Sequence, residues 1–89
     1  MLLTANLNHL LKLMCIELME QNFPKWNLEE IAEIAECNKS DLRNLLCDER
    51  NFTANKALEC ILNINDNTNI LEEEVLDDIA EQIEKDGVF

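Results

Sequence analysis

The sequence has little of what tight turns and sheets require. It contains one glycine, one proline, no tyrosine and only four aromatic residues. Glycine and proline mark turns, and the β-branched residues are scattered among Leu, Glu and Ala, so the composition predicts an all-α fold. A chain of 89 residues makes one small domain. Such a domain buries only about 60–65% of the surface of its unfolded chain, so every apolar helix face must be used.

The sequence also lacks the motifs of common active sites. His9 is the only histidine, with no nucleophile or second ligand spaced to join it, and there is no glycine-rich phosphate loop. The four cysteines, Cys15, Cys37, Cys47 and Cys60, show no CxxC pairing of a zinc or thioredoxin-like site. We predict no enzyme, metal or cofactor, and free buried thiols in a reducing cytoplasm.

Long apolar runs are missing as well. No stretch approaches the roughly 20 apolar residues that a membrane span needs. The N-terminus has no basic n-region, and Asn6, Asn8, His9 and Lys12 interrupt its apolar residues, so we expect no signal peptide and no membrane partner.

Basic residues are scarce and unevenly placed. Seven Lys and Arg stand against 19 Asp and Glu, a formal charge of −12 that repels phosphate at long range. Residues 25–56 hold five bases and seven acids, a net charge of −2, whereas residues 57–89 hold ten acids and one base, a net charge of −9. The excess negative charge is therefore mostly C-terminal.

Residues 26–46, the two-helix unit, carry the clearest pattern. Asn27 and Glu30 form a capping-box pair, with Trp26 and Ile31 at the hydrophobic staple positions. Asn38 is expected to cap the second helix. Each helix has an apolar face to bury: Leu28, Ile31, Ala32 and Ala35 on the first, and Leu42, Leu45 and Leu46 on the second.

Helices are expected on both sides of this unit. The first runs from about residue 5 to 22, capped by Thr4 and stopped by Asn22 and Pro24. Its broad apolar surface suits a core position or a homodimer contact. Its helically spaced apolar positions are Leu7, Leu10, Leu11, Met14, Leu18 and Met19, widened by Leu13, Cys15 and Ile16.

A fourth helix follows, capped by Thr53, with Ala57, Leu58, Ile61 and Leu62 on its inner face. Residues 63–69 are rich in Asn and Asp and are expected to form a linker. The last helix, about residues 70–85, has Asn69 and Glu72 as a further capping box. Its apolar stripe comprises Leu71, Val75, Leu76, Ile79, Ala80 and Ile83.

The outer surface of the last helix is acidic. Two interpretations stay open: a solvated outer face, or a surface that contacts a basic protein partner such as a toxin or a nucleic-acid-binding protein. The candidate partner-binding residues are Glu72, Glu73, Glu74, Asp77, Asp78 and Glu81.

The segments IAEIA at 31–35, NKSDLRNLL at 38–46 and ERNFT at 49–53 carry a family resemblance. Over residues 8–64 the chain resembles the lambda-repressor-like helix-turn-helix family of the Cro/CI type. It departs from that family at Glu36, where a turn glycine is usual, at Asp48, where a loop glycine is common, and at Phe52, where proline is usual.

The resemblance implies that the second helix of the two-helix unit enters the major groove of double-stranded DNA. Arg43 could then bind guanine, Asn44 adenine, and Ser40 a base or a phosphate. Asp41 could accept from cytosine or serve simply as the N3 acid of its helix. Lys25 and Lys56 are further phosphate candidates. The implied DNA-binding residues are Asn38, Lys39, Ser40, Asp41, Arg43, Asn44 and Arg50.

The expected fold is all-α: a four-helix lambda-repressor-like helix-turn-helix domain over residues 1–64, with an Asn-rich linker and an acidic C-terminal helix over residues 65–89 in the same compact unit. The first functional hypothesis is a small, dimeric DNA-binding transcriptional regulator of the phage repressor or antitoxin type. The alternative is an acidic, phage-encoded inhibitor, of anti-defence or anti-transcription type, that uses the same scaffold to block a nucleic-acid-binding protein.

Overall fold

A computed structural model describes residues 2–21, 25–47 and 52–86. Within these ranges the chain forms α-helices and no strands, which confirms the all-α prediction. None of the helices in the described ranges is long and apolar enough to cross a membrane. The five helices are α1 (Leu2–Glu20), α2 (Leu28–Ala35), α3 (Lys39–Leu46), α4 (Ala54–Thr68) and α5 (Glu73–Asp86).

The core lies between α1, α2, α3 and α4. Helix α4 packs along both α1 and α2, and α3 packs on α2 and α1. The predicted inner faces of α2 and α3 are largely confirmed, with Leu28 and Leu46 only half-buried. The largest side chains with almost no exposed surface are Leu11, Leu18, Ile31, Leu42, Leu45, Ile61 and Ile64.

Helix α1 differs from its prediction at both ends. It begins at Leu2, so Thr4 lies inside the helix and the predicted cap there is wrong. No helix-breaking residue stands between Leu2 and Thr4, so nothing in the sequence forces a later start. The helix ends at Glu20, and the predicted stop residues Asn22 and Pro24 lie outside the described residues. The chain then returns to α1 through a hydrogen bond from the Trp26 N–H to the Leu18 carbonyl, at 3.2 Å.

Helix α4 is longer than predicted, because most of the expected Asn-rich linker is helical. Thr53 caps its start as predicted, its Oγ1 accepting from the Lys56 N–H at 3.2 Å. The helix continues to Thr68 because Ile64 is fully buried in the core. Asn69 ends it in the left-handed conformation, with φ of 52°. Leu62 was predicted to face inwards but is 42% exposed.

Helix α5 begins at Glu73, three residues later than predicted. The predicted capping box of Asn69 and Glu72 is wrong, because Asn69 terminates α4 instead. Of the predicted apolar stripe, Ala80 is exposed and the other members are only half-buried. Of the other described helices, α1 alone contacts α5, so α5 rests on the side of the domain and adds little to its core.

Candidate nucleic-acid interface

The start of α2 has the predicted capping box. The Oδ1 of Asn27 accepts from the Glu30 N–H at 2.8 Å, and a carboxylate oxygen of Glu30 accepts from the Asn27 N–H at 3.1 Å. These bonds satisfy two backbone donors at the end of the helix and fix where the helix begins.

The turn between α2 and α3 is built around Glu36. This residue has φ of 58° and ψ of 45°, the left-handed conformation that glycine adopts most easily. The Glu36 N–H donates to the Glu33 carbonyl, and the Cys37 N–H donates to the Ala32 carbonyl at 3.1 Å. This is the Schellman arrangement that commonly closes a helix, formed here without glycine.

Two side chains from α4 donate hydrogen bonds to carbonyl oxygens of this turn. The Nδ2 of Asn63 donates to the Ala35 carbonyl at 3.1 Å, and the Nζ of Lys56 donates to the Glu36 carbonyl at 3.3 Å. Helix α4 therefore fixes the geometry of the turn, and through it the position of α3.

Helix α3 starts after Asn38 as predicted, but the side chain of Asn38 does not cap it. Its Nδ2 instead donates to the Oδ2 of Asp41 at 3.4 Å. The side-chain amide of Asn38 faces the carboxylate of Asp41 and accepts no hydrogen bond from a backbone N–H. The prediction that the Asn38 side chain caps α3 is therefore wrong.

The predicted DNA-binding residues lie on the outer surface of α3. Leu42 and Leu45 anchor the inner side of this helix in the core. The side chains facing outwards at its first turns, here called the α3 face, are Asn38, Lys39, Ser40 and Arg43, all exposed, with Asp41 and Asn44 half-buried beside them. Arg50 lies outside the described residues.

The predicted phosphate contacts outside α3 differ in exposure. Lys25 is exposed, two residues before the cap of α2. Lys56 is half-buried and donates to the Glu36 carbonyl. Of these two lysines, Lys25 is the one whose ammonium makes no hydrogen bond among the described residues.

The predicted partner-binding residues lie together on α5 and the residue before it. Glu72, Glu73, Glu74, Asp77, Asp78 and Glu81 are all exposed. Among these six carboxylates the described ion pairs include one, between Glu81 and Lys85 at 3.7 Å. Because α5 contacts only α1 among the described helices, these acids do not cover the α3 face.

The four cysteines are free, as predicted, but they are not all buried. Cys15 and Cys60 have no exposed surface, Cys37 is half-buried and Cys47 is exposed. Cys37 and Cys60 lie close together, because Lys56 and Asn63, one turn before Cys60 and one turn after it on the same face of α4, donate to the Glu36 and Ala35 carbonyls beside Cys37. The sequence pattern did not reveal this pair, since 22 residues separate its members along the chain.

The interaction between the two thiols and the surrounding charges shift their pKa values in opposite directions. Interaction with Cys60 lowers the pKa of Cys37, and the ammonium of Lys56 lowers it further, against the opposing effects of burial and of Asp41. Interaction with Cys37, followed by burial, raises the pKa of Cys60. Cys37 is therefore the readily ionised member of the pair.

Comparison of the chain with protein-family models, with curated proteins and with solved structures found no significant match.

Proposed function

We propose that this chain is a small DNA-binding transcriptional regulator with a lambda-repressor-like helix-turn-helix domain, and that α3 is its recognition helix. The observation that carries the proposal is the left-handed conformation of Glu36. Glu36 stands where the family that this chain resembles has a turn glycine. A non-glycine residue that nevertheless takes this conformation supports the same turn between the two helices.

The chemistry of the α3 face also supports DNA reading. Arg43 offers a planar fork that matches guanine, and Lys39 offers a charge for phosphate. Both side chains are exposed, above a helix whose inner side is fixed in the core by Leu42 and Leu45. A helix that is anchored in the core and carries exposed polar side chains on its outer side suits insertion into the major groove.

The net charge sets the conditions under which such binding is measurable. At −12 the protein repels DNA at long range, and few cations are available for phosphate contacts. We therefore expect the protein to bind random DNA only at low salt. At higher salt, binding should depend on base contacts. A dimer on a palindromic site, of the phage repressor or antitoxin type, would double the number of contacts.

Fluorescence anisotropy with a labelled duplex of random sequence tests the electrostatic part of this proposal. We expect binding at low salt, with a slope of log affinity against log salt that falls by about 1 in Lys39→Ala. Lys85→Ala, which removes a cation from α5, is the control and should leave the slope unchanged. Absence of binding at the lowest salt, or equal slopes for both variants, would reject DNA binding through α3.

A second candidate function rests on the exposed carboxylates of α5. Six acids lie on or beside α5, which contacts only α1 among the described helices. They form a surface suited to a basic protein, such as a toxin or another nucleic-acid-binding protein. In this proposal the protein is an inhibitor, and the helix-turn-helix scaffold serves only to present α5.

Capture of a basic partner from a lysate of the source cell tests the second candidate. The informative variant replaces Glu72, Glu73 and Glu74 by Gln, and the matched control replaces the exposed acids Glu17, Glu29 and Glu33 by Gln. Loss of the partner only with the first variant supports the inhibitor. Equal retention by both variants removes its electrostatic basis.

A further inference from the structure

The turn between α2 and α3 brings two cysteines from distant parts of the chain together. Cys37 lies in the turn, and Cys60 lies in the middle of α4 on the face that meets this turn. Lys56 and Asn63, which lie before and after Cys60 in the sequence, donate hydrogen bonds to carbonyls of this turn and so pack α4 against it. The fold therefore places Cys60 beside the turn that contains Cys37.

Only one member of the pair is open to solvent. Cys60 has no exposed surface, whereas Cys37 is half-buried and lines an open cleft of about 330 Å³ together with Lys56 and Asp41. A small solute in this cleft can reach Cys37 but not Cys60. This arrangement separates an accessible sulfur from a protected one that lies beside it.

We infer that Cys37 and Cys60 form a thiol pair that hydroperoxides oxidise to a disulfide, with Cys37 as the attacking residue and Cys60 as the resolving residue. The inference does not depend on DNA binding. The cleft beside Lys56 receives a small oxidant, and Cys37 is the residue that this oxidant modifies.

The first step consumes the peroxide. The Cys37 thiolate attacks one oxygen of hydrogen peroxide, an S–O bond forms, and the O–O bond breaks. Cys37 becomes a sulfenic acid, and the leaving hydroxide takes up a proton to become water. The ammonium of Lys56 lies close enough to Cys37 to favour the thiolate that this step requires.

The second step closes the disulfide. Cys60 lies on the face of α4 that meets the turn, so its sulfur is placed beside the sulfenic acid at Cys37. The Cys60 sulfur then attacks the Cys37 sulfur and the S–O bond breaks. The hydroxyl leaves as a second water with the proton from Cys60. In total two thiols are oxidised and one hydrogen peroxide is reduced to two waters.

The decisive experiment uses the full chain with Cys47→Ser, which removes the exposed thiol and with it cross-linking between molecules. The folded protein is treated with hydrogen peroxide, the free thiols are alkylated, and the products are mapped by mass spectrometry. We expect a protein lighter by two hydrogen atoms with a disulfide between Cys37 and Cys60. This product should be absent when either Cys37→Ser or Cys60→Ser is added.

The sulfenic acid distinguishes the roles of the two cysteines. With Cys60→Ser, dimedone should label Cys37 after peroxide treatment, because no resolving thiol is present. With Cys37→Ser, Cys60 should stay unlabelled. A disulfide that involves Cys15, or equal dimedone labelling of Cys60 and Cys37, would overturn the assignment.

A measurement on the unmodified sequence keeps the inference testable if substitution of the buried Cys60 unfolds the protein. Pulsed alkylation at neutral pH should modify Cys37 roughly threefold or more faster than the exposed Cys47, because the thiolate is the nucleophile. Lys56→Gln should reduce this advantage, and the control Lys39→Gln should not. Alkylation of Cys37 no faster than that of Cys47 would contradict the inference.

Discussion

Asn8 and Phe52 are joined by two hydrogen bonds although they lie 44 positions apart in the sequence. The Nδ2 of Asn8 donates to the Phe52 carbonyl at 2.9 Å, and the Phe52 N–H donates to the Oδ1 of Asn8 at 2.8 Å. Asn8 is only 4% exposed, so one buried amide satisfies both backbone groups of Phe52. A proline at position 52 could not make the second of these bonds, because proline has no N–H to donate.

Replacing Asn8 by Ala should destabilise the protein substantially. It removes two hydrogen bonds and leaves a backbone donor and acceptor of Phe52 without their partner, a loss of about 2–3 kcal/mol in the free energy of unfolding. The exposed Asn6, on the same helix, is the control, and Asn6→Ala should change stability by less than about 0.5 kcal/mol. Urea denaturation followed by circular dichroism measures both. Equal stabilities for the two variants would mean that the Asn8 bonds contribute nothing net.

Glu36→Gly should stabilise the protein. Glycine relieves the cost of the left-handed conformation, and after its greater freedom in the unfolded chain is subtracted the gain should be roughly 0.5–1 kcal/mol. The matched control is Glu33→Gly, one turn earlier inside α2, which should lower stability by about the same amount. Thermal unfolding of both variants measures these changes in stability. A destabilised Glu36→Gly would show that the turn carries no strain.

Ile64→Ala should cost far more stability than Leu62→Ala. Ile64 is fully buried between α4 and the core, and its truncation should cost about 2–5 kcal/mol. Leu62 is 42% exposed, so its truncation should cost less than about 1 kcal/mol. Comparable losses of stability in chemical denaturation would mean that Leu62 lies on the inner face of α4, as the sequence predicted. They would also contradict the longer α4.

The stability of the protein should fall at alkaline pH because of Cys15. Burial, with a smaller contribution from nearby Cys37, raises the pKa of the Cys15 thiol to about 12, whereas an unfolded cysteine has a pKa of about 8.5. Below about pH 8.5 both states are protonated and the full stability is present. Above it only the unfolded chain loses the proton, so the free energy of unfolding falls by up to about 1.4 kcal/mol per pH unit.

Urea denaturation at about pH 7 and about pH 10 measures this dependence. Cys15→Ala should lower stability at neutral pH but make the alkaline loss smaller. The buried Cys60, whose pKa is also raised, leaves a further alkaline loss of the same sign. Cys47→Ala, at an exposed site, is the control. An unchanged alkaline loss in Cys15→Ala would contradict the assignment.

The features that the sequence predicted well are local. Asn27 with Glu30, and Thr53 with Lys56, bond across three residues, so the capping patterns alone locate these helix starts. Ile31 with Ala35, and Leu42 with Leu45, lie on single helical faces that are buried as their spacing indicates.

The features that the sequence did not predict depend on distant contacts. The Asn8 bonds and the Cys37–Cys60 pair join residues that no local pattern links. Residues 63–68 favour turns by composition, yet burial of Ile64 and the bond from Asn63 to the Ala35 carbonyl hold them in a helix. The bond of Thr68 Oγ1 to the Ile64 carbonyl shows the polar side chains of this segment bonding back along the helix itself.

Site selection from a pool of random duplexes at low salt tests whether the α3 face reads bases. We expect enrichment of a short, palindromic site. Arg43→Ala and Asn44→Ala should each weaken binding to that site by about 1–3 kcal/mol and relax its sequence at the contacted base. Lys85→Ala should select the same site with unchanged affinity. If no sequence is enriched, or if Arg43→Ala and Asn44→Ala select the same site as the unmodified protein with equal affinity, base reading by the α3 face is contradicted.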